Sequence, residues 1–350
     1  MKTGRTLTAL AEEIQRQYET KRDYVAPSKL LSMAVKDNHI TLGGIDGWPL
    51  TAHAHAQIAS KLQIPKQYYD RMLSESPELL QQNVNEWLHR SDDKRMLRTL
   101  DGNIRAVLSD RYCPLDNYDL AQAVLPSIQE TQCEVVSCEI TDTRMYIKAV
   151  TKRISTEIAK GDVVQAGIVV SNSEVGSGSI KVEPLVYRLV CLNGMISADH
   201  AMRRNHVGRR LDSDEEQNSR FYSTNTRRLD ARAFFAKVRD TVHGVLSEEG
   251  FGEIVRGMRQ LKDYRIAEST DPRQMIEDVT KKLNLSSGEE GGVLQHLIKG
   301  GDLSAYGVMN AVTRASQDVE SYDRATELER FGGMMCGWNV ADWKTVGLVR

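Results

Sequence analysis

The stretch between Glu134 and Cys191 constrains the fold most strongly, because it consists of long β-type segments separated by short turn signals. Residues that suit a pleated, half-buried surface dominate these segments. They run over 134–140, 145–150, 163–170 and 179–191. Turn residues at Thr141–Thr143 and a loop at Gly176–Gly178 lie between them. The pattern predicts a central antiparallel β-meander with long hairpins.

The first ninety residues are predicted to be helical. Apolar residues recur every three or four positions between Leu7 and Tyr18, which is typical of an amphipathic helix. A break follows at Pro27. Thr51 is suited to cap a further helix, and Pro65 and Pro77 are suited to open two more.

The last third of the chain, from Thr226 to about Glu329, also has helical spacing. We expect the glycine-rich segment Gly288–Gly301 to interrupt it, and Trp338 and Trp343 to lie in an extended tail. The predicted fold class is therefore α+β, with a helical N-terminal part, a central antiparallel β-meander and a helical C-terminal part. The predicted divisions are a helical module over 1–92, a β-rich core with a basic loop over 93–225, and a helical region over 226–350.

A short hairpin and a loop precede the meander. The turn Asp101-Gly102-Asn103 predicts a hairpin between strands at 97–100 and 104–108. Alternation places Arg105 on a mixed face that could contact a ligand. The following loop, 109–114, leads to a helix that Asp116 or Asn117 is expected to cap. Polar loop residues at such a junction are candidates for binding.

Composition indicates a globular chain. It has 350 residues, of which 40% are hydrophobic. No run approaches the ~18 consecutive apolar residues that a membrane span needs, and the first residues lack an apolar signal core. We therefore expect a cytoplasmic protein without membrane contact. The five cysteines contain no Cys-x-x-Cys pair, so neither a disulfide framework nor a zinc ribbon is indicated.

Charge is unevenly distributed along the chain, although the formal net charge is only -2. The segment 181–211 holds six basic residues against two acidic ones, and the acidic run 212–216 follows it. Clustered Lys and Arg create the electrostatic surface that nucleic acid recognises. The alternative is that each charged run is the solvated face of a helix.

Enzyme motifs are sparse. No Gly-Lys dipeptide exists, so a phosphate-binding loop for ATP is not indicated. Asp101, Asp110 and Asp116 could gather as Mg2+ ligands of a nuclease, but turn and cap roles explain two of them. His53 and His55 are separated by one residue and are poorly placed on a helix to share a metal. We expect neither a metal nor a cofactor.

Arginines and aromatic residues are interleaved through the β-rich core and its basic loop. Guanidinium groups hold phosphates while aromatic faces stack unpaired bases, which is how proteins grip single strands without reading sequence. The predicted nucleic-acid-binding residues are Arg105, Arg111, Tyr112, Arg188, Arg203, Arg204, His206, Arg209, Arg210, Arg220 and Tyr222. Arg111 could instead bridge to a neighbouring aspartate. The cluster from Arg203 to Arg210 is the hardest to explain structurally.

Two blocks of sequence also resemble a known family. The first is RTLDGNIRAVLSDRYCPLDN, at 98–117; the second begins with NSEVG at 172–176 and continues through YRLVCLNGM at 187–195 to HVGRR at 206–210. They resemble a family of phage- and plasmid-borne proteins known as a domain of unknown function. The resemblance implies a protein of mobile elements, whose replication and transfer expose single-stranded DNA. It carries over no catalytic residues.

The sequence thus predicts a single-stranded DNA binding or annealing protein of a phage or plasmid, acting in recombination or replication as a homo-oligomer and without ATP. A meander followed by helices is similar in outline to ring-forming annealing proteins. Two alternatives remain open. One is a metal-dependent nucleic-acid-processing enzyme, and the other is a protein-binding module that counters host defence.

Overall fold

The secondary structure is taken from a computed structural model that describes residues 1–36, 39–43, 47–197, 202–204, 224–267 and 269–350. Its strands are β1 (Arg22–Pro27), β2 (Ser32–Lys36), β3 (His39–Gly43), β4 (Trp48–Pro49), β5 (Lys94–Leu100), β6 (Asn103–Ser109), β7 (Cys133–Ile140), β8 (Met145–Glu157), β9 (Val163–Asn172), β10 (Ile180–Arg188), β11 (Asn193–Ile196), β12 (Met202–Arg204), β13 (Arg265–Ile266) and β14 (Leu348–Val349). Its helices are α1 (Leu7–Thr20), α2 (Ala52–Lys61), α3 (Lys66–Glu75), α4 (Pro77–Arg90), α5 (Asn117–Glu130), α6 (Thr224–Val245), α7 (Glu248–Gln260), α8 (Pro272–Lys282), α9 (Ser287–Gly300), α10 (Ala305–Ala315), α11 (Tyr322–Cys336) and α12 (Val340–Thr345).

The predicted meander is confirmed as the central sheet. Its strand order is β11-β10-β9-β8-β7, with antiparallel neighbours throughout. β12 also pairs with β10, on the half of that strand that β11 leaves uncovered. With helices at both ends of the chain, the fold is α+β, as predicted.

The two faces of the central sheet differ in chemistry. On β8, Met145, Ile147 and Ala149 join the main hydrophobic core. Tyr146 and Lys148 alternate with them, and both are fully buried on the other face. Helix α11 supplies their neighbours there, because Lys148 forms an ion pair with Glu329.

The N-terminal part contains the predicted helices and also strands that the sequence reading missed. Thr51 accepts a hydrogen bond at the start of α2, and Pro77 is the first residue of α4, as predicted. The interval from Arg22 to Gly43, however, is largely extended. β2, β3 and β4 form a small sheet, and β1 pairs with β5 in a second sheet, β1-β5-β6. This pairing joins residues on both sides of position 92, and the three-part division of the chain stays a prediction.

The Asp-Gly hairpin is confirmed. Asp101 and Gly102 have φ angles of 51° and 75°. Two consecutive positive φ values are what a two-residue hairpin turn of the right twist requires. β5 and β6 are consequently adjacent strands, with Leu100 paired to Asn103.

Two predictions about the C-terminal part are wrong. The glycine-rich segment does not interrupt the helical region but forms α9, which Ser286 and Glu289 start with a reciprocal capping box and Gly301 ends at a φ of 65°. The expected extended tail contains α12, and Trp343 is fully buried. None of the helices in the described ranges is both long and apolar enough to span a bilayer.

Candidate functional site

The two sequence blocks meet in space at one polar cluster with a buried centre, which we call the motif junction. It comprises Arg98, Arg105, Asp116, Asn117, Asn172 and Glu174 together with Asp23 and Lys21 from the N-terminal part. The first block supplies β5, β6 and the start of α5, and the second supplies the end of β9 and the loop that follows. Residues far apart in the chain therefore form a single network.

Arg98 lies at the centre of the motif junction with no exposed surface. Its Nε donates to Asp23 Oδ1 at 2.8 Å, and its Nη2 donates to Asp116 Oδ1 at 2.8 Å. Its Nη1 donates to the Glu174 carbonyl oxygen at 2.9 Å. Burial alone would lower the pKa of Arg98, but the charges of Asp116 and Asp23 outweigh it and raise the pKa above its usual value.

Glu174 performs the capping function that the sequence reading assigned to Asp116 or Asn117. Asp116 does occupy the N-cap position of α5, yet its side chain makes no capping hydrogen bond. That carboxylate faces Arg98 and Lys21 instead. Glu174 Oε1 accepts the backbone N–H of Asn117 at 2.6 Å. Placing a carboxylate at a helix N-terminus is favourable, so Glu174 ties the second block to α5.

The remaining contacts of the junction hold its loops in place. Glu174 also pairs with Arg105, and both side chains are buried. Asn172 Nδ2 donates to Asn117 Oδ1 at 2.9 Å and to the Leu115 carbonyl oxygen at 2.8 Å. The cations Lys21, Arg98 and Arg105 thus face the carboxylates Asp23, Asp116 and Glu174. Every charge in this set has an opposite partner, so the junction is built to position its two loops.

His53 approaches the same loop from α2. Its Nε2 lies 3.1 Å from the Val175 carbonyl oxygen and 3.2 Å from Ser177 Oγ. Because a carbonyl oxygen only accepts, this geometry places the proton on Nε2. In that tautomer the nitrogen cannot take the hydroxyl proton of Ser177, so the arrangement favours anchoring the loop over activating a nucleophile.

The aspartates considered as Mg2+ ligands are separated by their partners. Asp101 accepts two hydrogen bonds of 2.7 Å from Arg16, and Asp116 belongs to the motif junction. Asp110 is exposed on the loop between β6 and α5. Across the described ranges, no group of three His, Cys, Asp or Glu side chains is arranged to hold a metal ion.

The predicted nucleic-acid-binding residues lie in different parts of the molecule. Arg105 and Tyr112 are buried, and the Tyr112 hydroxyl donates to the Ser173 carbonyl oxygen at 3.1 Å. Arg188 donates to both Asp162 oxygens, at 2.6 and 2.9 Å, while Arg111 is exposed on the β6–α5 loop.

Arg203 and Arg204 lie on β12, at the edge of the central sheet. The positions outside the described residues are His206, Arg209, Arg210, Arg220 and Tyr222. The structure therefore places Arg105 in the motif junction and Tyr112 beside it, with Arg98 5.8 Å from the Tyr112 ring centroid, while Arg188 and β12 lie elsewhere on the central sheet. Contact of any of these residues with nucleic acid stays a prediction.

Sequence reasoning missed the structural roles of Glu174, Lys21 and Asp23. Glu174 had a signal, since it is the only acidic residue in the second block's Asn-Ser-Glu-Val-Gly run after a buried strand. Lys21 and Asp23 had none, because they pair with residues more than seventy positions away.

A protein-family model matches a region of the chain that contains the second sequence block. The model of a domain of unknown function, DUF932, matches residues 105–313, which is more than half of the chain. The chain belongs to the DUF932 family. The DUF932 match begins at Arg105 and includes Glu174, so it contains one ion pair of the junction, whereas Arg98 and its partner Asp23 precede it. No curated protein and no solved structure matches the chain.

Proposed function

We propose that this DUF932 protein binds single-stranded nucleic acid and promotes annealing in phage or plasmid recombination or replication. It does so without ATP and as a homo-oligomer. The contact surface begins at β12 and continues into the basic segment 203–210. The observation that carries the proposal is the position of β12 on the edge of the central sheet.

The pairing of β12 concentrates positive charge at that edge. The register sets Arg203 opposite Lys181 and Arg204 opposite Ile180. Lys and Arg clustered along the sequence at one sheet edge attract phosphate, which supports this edge as the start of the contact surface.

Binding of this kind needs no catalytic group. The motif junction matches its charges internally, so its arginines support the fold, and the proposal assigns the phosphate contacts to the cations of the basic segment. Phosphate contacts release counterions and are sequence-independent, which suits a protein that coats or anneals strands of any sequence. The resemblance to phage- and plasmid-borne proteins supports the same setting.

The test is fluorescence anisotropy of labelled single-stranded and duplex DNA across a salt series. The wild-type chain is compared with a quadruple variant, R203A/R204A/R209A/R210A. We expect tighter binding of single strands, and we expect the variant to bind more weakly with a salt slope shallower by about 3, since each lost single-strand phosphate contact removes about 0.7.

A charge-matched control separates a local contact from a general loss of charge. Arg71, Arg153, Arg256 and Arg273 are exposed and lie outside the basic segment, so their quadruple alanine variant should retain wild-type binding. Absence of binding at low salt, or equal loss in both variants, would overturn the proposal. Light scattering with and without oligonucleotide tests self-assembly, and the mass of one chain under both conditions would contradict it.

A further inference from the structure

The N-terminal part contains a cleft of about 480 Å3 between the α2–α3 turn, α4 and the start of β5. Its lining combines aromatic rings, cations and amides, among them Lys61, Tyr68, Asn83, Trp87 and Arg95. The volume is in the range of pockets that hold a small organic ligand. The motif junction and β12 contribute none of its lining residues.

Two aromatic side chains of the cleft are unusually exposed. Trp87 has 48% of its surface accessible and Tyr68 has 44%. A large aromatic ring left in solvent costs free energy that a stacked partner would recover. Arg90 lies 5.6 Å from the Trp87 ring centroid, which adds a cation beside the same ring.

The polar groups of the cleft favour a ligand that carries both a negative charge and a hydrogen-bond donor. Burial and the neighbouring Arg95 lower the pKa of Lys61 and outweigh the opposite effect of Asp93, a carboxylate that also lines the cleft but forms no ion pair with Lys61. Arg95 pairs with Asp93 through one nitrogen at 3.0 Å. The Asn83 Oδ1 atom is buried and lacks a hydrogen-bond partner within the described part of the chain. A buried acceptor without a donor is costly, so a ligand N–H would be favourable there.

We propose that this cleft binds one nucleotide of a single strand, with the base stacked on Trp87 or Tyr68 and its phosphate beside Lys61 and Arg95. A base that carries an N–H, such as thymine, would satisfy Asn83. An apolar protein segment would use the rings but leave the ammonium and the amide acceptor unmatched. The inference rests on the proposed function and adds to it a second contact that is distant in sequence from the basic segment.

The experiment is a titration of intrinsic tryptophan fluorescence with oligothymidylate, and anisotropy is recorded on the same samples. The other three of the four tryptophans differ from Trp87 in their surroundings. Trp343 is buried, Trp338 is half-buried against it with ring centroids 4.8 Å apart, and Trp48 stacks on Tyr24 at the same centroid distance. We expect strong quenching in the wild-type chain, loss of most quenching in W87F, and full retention in W48F. Stacking on one aromatic ring contributes about 1–3 kcal/mol, so W87A should weaken binding by about 5- to 150-fold.

A lysine pair supplies the matched charge control. K61A should weaken binding several-fold, whereas K160A should not, because Lys160 is an exposed lysine away from the cleft. Binding by anisotropy with unchanged quenching in W87F and unchanged affinity in W87A would overturn the cleft and leave the proposed function standing. Absence of any binding by anisotropy would overturn both. Circular dichroism of each variant checks that the fold is retained.

Discussion

At the scale of single residues, the motif junction shows how burial dictates partners. A buried charge is tolerated only when an opposite charge and hydrogen bonds replace the water it loses. Arg98 meets this condition by reaching Asp23 on β1, Asp116 before α5 and the backbone of Glu174. One guanidinium therefore fastens three segments that the chain order keeps apart.

Replacing Arg98 should be among the most destabilising single changes in the molecule. In R98M the carboxylate of Asp116 loses a buried partner, and we expect the free energy of unfolding to fall by about 3–5 kcal/mol. Urea unfolding followed by circular dichroism measures it. R71M is the control, because Arg71 and Glu75 form an exposed pair worth at most about 1 kcal/mol. Similar losses in both variants would show that the junction does not depend on Arg98.

At the scale of elements, α11 lies unusually close to the central sheet. A Cβ atom at Gly333 would overlap the Ile196 carbonyl oxygen of β11, and one at Gly332 would overlap Thr313 of α10. The close approach also lets Glu329 and Arg330 reach into the sheet. Lys148 Nζ donates to Glu329 at 2.6 Å, and Arg330 Nη2 donates to Glu183 at 2.6 Å. Small residues and buried ion pairs together dock this helix.

A glycine substitution tests the docking. In G333A the added methyl group must push α11 away from β11, so we expect a loss of about 1–3 kcal/mol, as for other overpacked sites. G291A is the matched control, since Gly291 is a helical glycine of α9 with open space around its Cβ position. That change should be neutral or should stabilise the chain by up to about 1 kcal/mol. Thermal unfolding of the two variants measures both changes in stability. Stabilisation by G333A would contradict the close approach.

The link between α9 and α11 should make stability depend on acid pH. Hydrogen bonds from Arg324 lower the pKa of Glu289 to about 2, from an ordinary value of 4.5. A carboxyl group with a lowered pKa stabilises the folded state above its unfolded pKa, and this contribution is lost as pH falls from about 5 toward 2. E289Q should therefore be less stable than the wild type at neutral pH and converge with it near the acid end. E320Q, at an exposed position, should run parallel to the wild type throughout.

Local signals account for what the sequence could predict at this scale. β-type residues between turn signals predicted β7 to β10, the Asp101-Gly102 pair predicted its hairpin turn, and Thr51 predicted the start of α2. β1 was missed because its partner β5 lies far along the chain, with Arg22 opposite Thr99. The candidate site was likewise predictable only where its signals are local. The sequence blocks were visible, but the partners of Arg98 and Glu174 depend on tertiary contacts that no local pattern encodes.

At the scale of the whole molecule, a net charge of -2 gives little general attraction to nucleic acid. The proposed binding therefore depends on local sites. The proposed contacts are the basic segment that begins at β12 and the aromatic cleft beside α4. A long strand that engages both would gain affinity from the second contact without any new chemistry, because its binding becomes intramolecular.

This argument predicts that strand length separates the two contacts. A trinucleotide of thymidylate can occupy the cleft alone, so its affinity should fall in W87A and stay unchanged in R203A/R204A/R209A/R210A. A strand of about 30 nucleotides can span further contacts, and both variants should then bind it more weakly, the quadruple variant by at least about tenfold. Fluorescence titration measures the short ligand and anisotropy the long one. Equal loss of trinucleotide binding in both variants would mean that the cleft and the basic segment form a single site, because independent contacts cannot both be required by a ligand that fills only one of them.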